Sequence, residues 1–357
     1  LATRPIEGVW DKEYSIVPIG ELEGRRESEA IPQKTMTMGF TTYGAIAIEA
    51  SGKVGLSKLL KQRSRDFTSA SGEVNEAKFS GYLADTVARG FLLRRAQRWN
   101  KLCAQIFNYG AIPTGHTFFN HYKRCLFSDV PNSDYIYDER PLFAYPSAPH
   151  YSYATNSTRG NGARAVGNFV DAACTVPDTG GYFNRFDYPP SYWALKRVWT
   201  HFCNNMQFDD NDERYVLRPD TLLVSEYDLI RWTEILRSKF IEPFVSGQET
   251  NRENVFLFEG FKLRLVSSPL LIPHTWFLGK AKSQGILLLK PTKEEDPWAY
   301  WRDENDRSYW ISFEDEWGFM IRNWRFWCAG AASSDGENPP TFGGLAESSW
   351  DTMPAGV

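Results

Sequence analysis

The sequence predicts an α+β protein with two lobes, and three observations support this prediction. Residues from Lys34 onward alternate with the period of a β-strand, residues 78–108 follow the period of an amphipathic helix, and residues after Pro219 alternate between short strands and helices. The length of 357 residues exceeds what one ordinary hydrophobic core organises. We therefore expect a long ribbon and a long helix in one lobe, followed by a smaller α/β lobe.

The composition limits the classes of partner. A formal net charge of −4 excludes the strongly basic surface of a dedicated nucleic-acid reader, although general contact with nucleic acid stays open. Aromatic residues make up 15% of the chain, which predicts extensive burial in a core or an interface. No run approaches the roughly 20 apolar residues of a membrane helix, so we expect no membrane partner.

Two further features bear on the compartment. The five cysteines are odd in number and contain no C-x-x-C pair, which favours a reducing environment. The segment that begins at Leu1 has no apolar signal-peptide core, so we expect no export by that route.

The first strong pattern is a β-ribbon. Five apolar residues on even positions alternate with threonine and alanine, as expected of a strand with one buried face; these are Met36, Met38, Phe40, Ile46 and Ile48. Gly39 and Gly44 interrupt the run and predict a bend or bulge. We expect the partner strand at residues 14–19, across a charged turn at residues 21–29, and we expect a neighbouring molecule to cover the apolar face.

A long helix is predicted at residues 78–108. Its apolar residues recur at helical spacing, while Arg94, Arg98 and Lys101 fall on another face. At 1.5 Å per residue the helix would span roughly 45 Å, more than a small domain needs, so we expect a structural strut. The cationic run at residues 53–65 has two open interpretations, a solvated face or a contact with a neighbour's acids or a polyanion.

The second half of the chain is predicted in order as follows. Residues 110–169 show no clear period and form an irregular insertion; a helix opens after Pro189 and Pro190. A buried strand at residues 221–224 is followed by a capping sequence at Ser225 and a helix from Leu229 to Phe240. We expect further strands at residues 255–258, 261–266, 276–278, 286–289, 309–313, 317–321 and 324–328, and an extended or mobile tail.

The motifs of common enzyme classes are missing. The sequence has no G-x-S-x-G, no G-x-x-x-x-G-K-[ST] and no dinucleotide fingerprint, and the pair His116-x4-His121 lacks the glutamate of a metalloprotease motif. We therefore predict no catalytic residue, no cofactor and no metal. Isolated histidines such as His201 and His274 are expected to be hydrogen-bonded structural residues.

One enzyme class stays open as the alternative. Carboxylates lie among aromatic residues at 296–304 and 314–317, a combination that suits a carbohydrate-active hydrolase. Such an enzyme needs two carboxyl groups at a defined separation, and the same residues also fit an exposed turn between aromatic strands.

The order of these parts resembles the Hong Kong 97-type major capsid protein of tailed bacteriophages. The resemblance covers residues 12–330 and lies in the succession of arm, charged-tipped ribbon, long helix, the stretch from Arg218 to Val224, α/β lobe and closing strands. By resemblance, residues 14–50 would be the E-loop, residues 78–108 the spine helix of the peripheral (P) domain, and residue 218 the entry into the axial (A) domain. The irregular insertion and the high tryptophan content depart from the family pattern.

The resemblance implies a structural function. It implies self-assembly into hexamers and pentamers of an icosahedral shell around packaged double-stranded DNA, which the chain would contact non-specifically in the virion after assembly in the host cytoplasm. Portal, scaffold and decoration proteins would be further partners. The implied organisation is an N-terminal arm at 1–13, the E-loop at 14–50, the P domain at 51–217 with insertion 110–169, the A domain at 218–305, strands returning to the P domain at 306–332, and a C-terminal tail at 333–357.

Overall fold

The computed structural model describes several stretches of the chain. These are residues 2–6, 10–17, 37–56, 88–112, 141–145, 147, 183–204, 206, 217–238, 240–241, 252–282, 285–291, 298–302, 309–321 and 324–342. They contain both helices and sheets of mixed direction, so the predicted α+β class is confirmed.

The larger sheet has six strands that come from distant parts of the chain. They are β1 (Ala2–Ile6), β2 (Trp10–Val17), β3 (Thr37–Leu56), β9 (Ile286–Pro291), β10 (Trp298–Arg302) and β11 (Tyr309–Ile321). The strand order is β1-β9-β11-β3-β2, and β10 pairs with β11 beside this path. Strand β1 pairs with β9 in parallel, and β11 is antiparallel to both β9 and β3.

The predicted ribbon is present. Strand β2 pairs antiparallel with the first half of β3, from Trp10 opposite Ala45 to Val17 opposite Thr37. The partner predicted at residues 14–19 is confirmed at residues 14–17, and the strand begins four residues earlier than predicted. Between the pairs Tyr14–Thr41 and Ile16–Met38, three residues of β3 span two of β2. This register shift is the bulge predicted at Gly39, because one extra residue on one strand disturbs the ladder. No shift occurs at Gly44, which pairs regularly with Asp11.

The smaller sheet has the order β12-β8-β4-β7. Its strands are β4 (Thr221–Ser225), β7 (Arg264–Ser268), β8 (Trp276–Gly279) and β12 (Trp327–Ala331). Strand β4 is parallel to β7 and antiparallel to β8, as expected where a helix connects one strand to a parallel neighbour. Strands β5 (Phe240–Ile241) and β6 (Arg252–Glu253) form a separate short pair.

Three α-helices are present in the described residues. Helix α1 (Ala88–Asn108) covers the C-terminal part of the predicted strut, whose first ten residues lie outside the described stretches. Helix α2 (Tyr192–Asn204) begins just after Pro190, and Ser191 Oγ accepts a hydrogen bond from the backbone N of Ala194. Helix α3 (Leu229–Arg237) follows a 3₁₀ turn at Glu226–Asp228, where Ser225 Oγ caps the N–H of Tyr227 as the sequence predicted.

One hydrophobic core joins both sheets and the helices. It includes Ile106 and Phe107 of α1, Val198 and Phe202 of α2, the strand β8 and the buried end of β11. The Phe107 ring contacts three other rings, with centroids 6.2 Å from Phe143, 5.1 Å from Phe277 and 4.9 Å from Trp327. Stacked, tilted and edge-to-face contacts of this kind add to area burial and explain where much of the aromatic content lies.

The structure corrects several predicted elements. Residues 255–257 form a 3₁₀ helix and not a strand, because Asn254 Oδ1 caps the N–H of Phe256. Phe240 lies in β5 and not in helix α3. Residues 309–321 form one strand, and residues 324–326 form a 3₁₀ turn before β12. The strand predicted at residues 261–266 lies at 264–268.

The sheets also divide the chain differently from the predicted α/β lobe. Strands β9 and β10 pair in the larger sheet although they fall within residues 218–305, and β12 pairs with β8 in the smaller sheet. Local strand patterns carry no information on pairing partners, so these pairings could not be read from the sequence. The boundaries of the predicted domains stay a prediction.

The beginning of the predicted tail packs on the core. Ser333 is fully buried, and Phe342 belongs to the hydrophobic cluster. Gly336 has a positive φ of 78° and lies against the Tyr109 ring, where a Cβ would approach within 2.3 Å. Residues 333–342 are therefore held in place, in contrast to the extended or mobile tail that composition predicted.

Candidate assembly surface

The residues predicted to contact a neighbour lie on the ribbon strand. Met38, Phe40, Ile46 and Ile48 belong to β3, and Met36 lies outside the described residues. Ile46 and Ile48 stand opposite Gly318 and Glu316 of β11 in the same chain. The bulge between Met38 and Thr41 interrupts the strict alternation from which the common face was inferred. Their contact with another subunit stays a prediction.

Strand β3 pairs with two different strands along its length. Residues 45–56 pair with β11, whereas residues 37–45 pair with β2. A second register shift lies opposite the step from Asp315 to Glu316. At about 3.3 Å per residue, the 20-residue strand is roughly 65 Å long, against a usual length of 3–10 residues. The ribbon is thus a continuation of the larger sheet and not an independent hairpin.

Large apolar side chains are exposed elsewhere on the described surface. The most exposed are Ile230 at 74%, Tyr227 at 66% and Leu93 at 62%. The others are Phe258, Leu257, Leu92, Leu270 and Phe261. Single exposed apolar residues are ordinary, but pairs at helical spacing such as Tyr227 and Ile230 concentrate apolar area in one place.

A hydrogen-bonded frame holds Tyr227 and Ile230 in position. Asp228 is buried between them, and its carboxylate accepts hydrogen bonds from the backbone N of His274, at 2.7 Å, and faces His274 Nδ1, at 2.9 Å. His274 has a left-handed φ of 64°. In this conformation its backbone N and its ring Nδ1 both contact the same carboxylate. The Tyr227 ring packs edge-on against the His274 ring, with centroids 4.9 Å apart. The start of α3 is therefore fixed to the turn before β8.

A second frame presents Leu257, Phe258 and Phe261. Asn254 is buried, and its Nδ2 donates to the carbonyl oxygens of Ile235 and Ser238 at the end of α3, at 2.7 and 3.0 Å. Phe256 is buried against Tyr192 and Trp199 of α2. The two 3₁₀ turns at 255–257 and 259–261 are thus anchored on both helices, while the neighbouring apolar residues remain exposed.

Sequence analysis missed these exposed residues. Phe258 and Phe261 were assigned to strands, which implied burial. The Asn254-x-Phe256 cap and Gly260 are the local signals that favour short turns over a strand. Tyr227 and Ile230 lie three residues apart at the start of a helix, on the side away from the buried Trp232.

The two described histidines are structural, as predicted. His201 is buried, and its Nε2 lies 2.8 Å from the carbonyl oxygen of Phe183. Burial lowers the pKa of His201 to about 4, an effect to which the charge of Arg197 adds, while the hydrogen bond to Phe183 opposes it. His274 is engaged by Asp228. The pair His116 and His121 lies outside the described residues.

Two groups that could act as nucleophiles, the Cys103 thiol and the Tyr145 hydroxyl, have raised pKa values. Cys103, Cys203 and Cys328 form no disulfide within the described stretches, and burial raises the pKa of Cys103 to about 11, so that its thiol stays protonated at neutral pH. Burial and the hydrogen bond to Asp187 raise the pKa of Tyr145 to about 12. No group of three metal-binding side chains occurs in the described part of the chain.

Only some of the carboxylates on which the hydrolase alternative depends lie in the described part of the chain. Glu314, Asp315 and Glu316 lie on strand β11 at its pairing with β3, and Asp296, Asp303 and Glu304 lie outside the described residues.

None of the described helices is both long enough and apolar enough to cross a membrane.

The matches between this chain and known proteins are all to solved structures. No protein-family model matches the chain, and no curated protein matches it. The capsid of Ralstonia phage GP4 aligns with a TM-score of 0.46 at 10% identity, over 95% of this chain and 86% of that one. The capsid of cyanophage P-SCSP1u aligns with the same TM-score and identity, over 93% and 86%.

A third neighbour is not a phage protein. The SrpI encapsulin of Synechococcus elongatus aligns with a TM-score of 0.39 at 9% identity, over 97% of this chain and 88% of that one. Phage capsid chains and an encapsulin are thus among the solved structures that this chain resembles.

Proposed function

We propose that the chain is the major capsid protein of a tailed bacteriophage, with the Hong Kong 97-type fold. It assembles into hexamers and pentamers of an icosahedral shell that encloses double-stranded DNA. In this proposal the ribbon of β2 and β3 is the E-loop, α1 belongs to the spine of the P domain, and the smaller sheet with α3 forms most of the A domain.

The observation that carries the proposal is the ribbon. Residues 37–44 of β3 extend beyond the pairing with β11 and pair with β2 in the larger sheet. A two-stranded ribbon is marginally stable in water by itself. A neighbouring subunit that packs on the ribbon would supply the missing apolar cover, and closed symmetry would repeat the contact around a ring.

The exposed apolar residues of the smaller sheet region add support. Tyr227 and Ile230 stand on a frame that is already fixed by Asp228 and His274. Rigid presentation lowers the entropic cost of association, because the side chains need no further ordering of the backbone. Such residues suit a contact that forms many times in one particle.

The proposed role is mechanical and involves no catalytic residue, cofactor or resident metal. The particle is the virion, assembled in the host cytoplasm, and portal, scaffold and decoration proteins are its further partners. The acidic and histidine residues described above act in this proposal as structural and surface groups.

Microscopy of the purified full-length chain tests the proposal. Negative-stain images should show shells, tubes or hexameric and pentameric rings, and size-exclusion chromatography should show particles far above the 40.9 kDa of one chain. A chain that stays a dispersed monomer as its concentration is raised would contradict it, because association is favoured by mass action. A dispersed monomer that also cleaves polysaccharide would favour the hydrolase alternative.

A further inference from the structure

Positive charge is concentrated at one end of the smaller sheet. Strands β4 and β7 begin at this end and strand β8 finishes there, because Thr221 stands opposite both Arg264 and Gly279. The chain segments that meet here are residues 217–221, 262–264 and 279–282, and Asp220 is their single acid. Their cations are Arg218, Lys262, Arg264, Lys280 and Lys282. The net charge of the whole chain is −4, so this end of the sheet differs from the molecule as a whole.

Asp220 holds this end of the sheet together. Its Oδ1 accepts a hydrogen bond from the backbone N of Ala281 at 2.7 Å, and its Oδ2 lies 3.0 Å from Nζ of Lys280. Its carbonyl oxygen accepts a hydrogen bond from the backbone N of Arg264 at 2.8 Å. The carboxylate therefore offsets the charge of Lys280. The other four cations are exposed, and we call them the basic corner: Arg218, Lys262, Arg264 and Lys282.

A fixed acidic turn follows strand β12. Asp335 and Glu337 are exposed, and residues 332–342 contain no lysine or arginine. Asp335 Oδ1 accepts hydrogen bonds from the backbone N of Glu337 and of Asn338, at 2.9 and 2.8 Å, and its Oδ2 accepts one from Asn338 Nδ2 at 2.7 Å. These bonds lower the pKa of Asp335, so its charge is present at neutral pH. We call Asp335 and Glu337 the acidic turn.

The acidic turn lies at the other end of the smaller sheet. Gly336 packs on the ring of Tyr109, and the side chain of the preceding Asn108 bonds to the carbonyl oxygen of Leu270 and the N of Ile272. Residues 270 and 272 follow the last residue of β7, whereas the basic corner lies at its first residue.

The strand order separates the two charged regions further. Strand β12, which leads into the acidic turn, stands three strands from β7 in the order β12-β8-β4-β7. Three strand spacings amount to roughly 14 Å, and the five residues of β7 add about 13 Å along the sheet. These distances exceed the Debye length of about 8 Å at physiological ionic strength. The basic corner and the acidic turn are therefore too far apart to neutralise each other within one subunit.

Opposite charges at opposite ends of one rigid element suit a head-to-tail contact between identical molecules. In such a contact each copy presents its acidic turn to one neighbour and its basic corner to the other, and a rotation that closes gives a ring. Complementary charges at an interface fix its register and speed the encounter of the partners. The exposed hydrophobic residues of this region carry no such direction, because they bear no sign of charge.

We propose that the acidic turn of one copy binds the basic corner of the next copy around a ring. This inference rests on the proposed function in one respect, which is that the partner is a second copy of this chain. It adds the surface and the direction of the contact. Glu337 and Arg264 are the central residues, because both are exposed and neither side chain takes part in the bonds that shape its own turn or strand end.

The test is a charge swap in the full-length chain. The variants are Glu337→Lys, Arg264→Glu and the double variant that carries both changes. The controls are Glu234→Lys and Lys101→Glu, which make the same changes of charge at exposed positions of α3 and α1. Sedimentation velocity over a range of protein concentrations measures association at about 50 mM and about 500 mM NaCl, because salt screens exposed charge pairs. Circular dichroism checks that each variant is folded.

Each single swap turns an attraction into a repulsion. At the lower salt concentration, Glu337→Lys and Arg264→Glu should each raise the concentration for half-maximal association about fivefold or more. The double variant should return to within about twofold of the wild-type chain, since the swapped pair attracts again. The difference between the single variants and the wild-type chain should shrink at the higher salt concentration. If Arg264→Glu misfolds, Lys262→Glu takes its place in the same comparison.

Three results would overturn the contact. Single variants that associate like Glu234→Lys and Lys101→Glu would place both regions outside the interface. A double variant that associates no better than the single variants would show that the two regions do not meet. An effect of Arg264→Glu without one of Glu337→Lys would show that the basic corner binds a different anion, such as a nucleic-acid backbone.

Particle formation separates this inference from the proposed function. Wild-type shells together with single variants that behave like the controls would contradict the corner contact and leave the capsid role standing. Small head-to-tail oligomers that follow the charge swap, without shells under any assembly condition, would contradict the capsid role and leave the contact standing. A wild-type chain that stays monomeric as its concentration is raised would contradict both.

Discussion

Gly330 of β12 packs directly on the indole ring of Trp276 in β8. A Cβ at position 330 would lie 2.0 Å from Cζ2 of Trp276, far inside van der Waals contact. Trp276 cannot retreat, because it is fully buried, donates from Nε1 to the carbonyl oxygen of Tyr188 at 3.0 Å, and contacts the Trp232 ring at 4.9 Å. The absence of a side chain at 330 lets the two strands approach.

The first prediction follows from this contact. Gly330→Ala should lower the free energy of unfolding by about 2 kcal/mol or more, because the added methyl forces Trp276 or β12 to move. Urea denaturation followed by tryptophan fluorescence measures the change. Gly90→Ala in α1 is the matched control, since its Cβ would meet nothing within 4 Å, and it should stabilise the protein by about 0.5–1 kcal/mol. Equal effects at the two positions would contradict the packing described.

Asn184 is the subject of the second prediction. Its buried Oδ1 accepts from the N of Ala144, and its Nδ2 donates to the carbonyl oxygens of Leu142 and Trp327, at 2.8 and 3.0 Å. Asn184→Asp keeps the shape but turns the donor into an acceptor that faces carbonyl oxygens. We expect a loss of roughly 3 kcal/mol or more in unfolding experiments at neutral pH.

The same substitution at an exposed site provides the control for Asn184. Asn100 lies on the exposed part of α1, and Asn100→Asp should change the free energy of unfolding by less than about 0.5 kcal/mol. A small effect at Asn184 would mean that residues 142–144 are not anchored through this side chain.

The third prediction concerns His201 and the dependence of the free energy of unfolding on pH. Burial lowers its pKa in the folded protein to about 4, whereas an unfolded chain has a pKa near 6.5, so the unfolded state binds more protons between these values. The stabilising contribution is therefore complete above pH 6.5 and is lost as the pH falls through 4. The free energy of unfolding, measured by denaturant titration, should be a few kcal/mol lower at pH 4.5 than at pH 7.5 because of His201.

A variant isolates the contribution of His201. His201→Asn retains a donor for the carbonyl of Phe183 but does not titrate, so the difference between its stability and that of the wild-type chain should shrink as the pH falls from 7 to 4. A difference that stays constant over this range would show that His201 is not the titrating group.

Several elements were predictable because their signals are local. Helix α2 has a Pro-Pro entry and an apolar face of Leu195, Val198 and Phe202, and the cap at Ser225 precedes α3. The bulge near Gly39 was also visible in the sequence, since glycine interrupts an alternating run. These features depend on residues a few positions apart.

The remaining features depend on contacts between distant residues. Nothing in the pattern of residues 286–291 distinguishes a strand that pairs with β11 and β1 from one that joins β8. The exposure of Ile230 likewise follows from which side of α3 meets Trp276, and that depends on the sheet behind it. Hydrophobic periodicity therefore predicts elements better than it predicts partners.

The ribbon leads to the fourth prediction. Phe40→Asp places a charge on the part of β3 that pairs with β2 and should block particle closure while the far-ultraviolet circular dichroism stays unchanged. Burial of such side chains in a neighbour contributes on the order of 1.5–3 kcal/mol each. Thr41→Asp, at the adjacent position, is the matched control and should assemble more fully. Normal particles from Phe40→Asp would show that this residue has no role in assembly.

The fifth prediction concerns the exposed end of α3. Ile230 is 74% exposed, so Ile230→Asn should change the free energy of unfolding by less than about 0.5 kcal/mol but should reduce the yield of particles in sedimentation. Glu234→Asn introduces the same residue at an exposed site one turn away on the helix and should leave that yield unchanged. Equal yields would place Ile230 outside the subunit contact.

The strand order of the larger sheet has a consequence for how the chain folds during synthesis. Strand β3 finds its partner β11 some 260 residues later, and β1 pairs with residues 286–291, so the sheet cannot close until the ribosome has released residue 321. Strands β4, β7 and β8 lie within 59 consecutive residues and can pair much earlier. Residues 37–45 of β3 can pair with β2 early in synthesis, but residues 45–56 have no partner in β11 until residue 321 is released. This exposed strand edge makes protection by a chaperone an advantage, and the larger sheet is completed only late in synthesis.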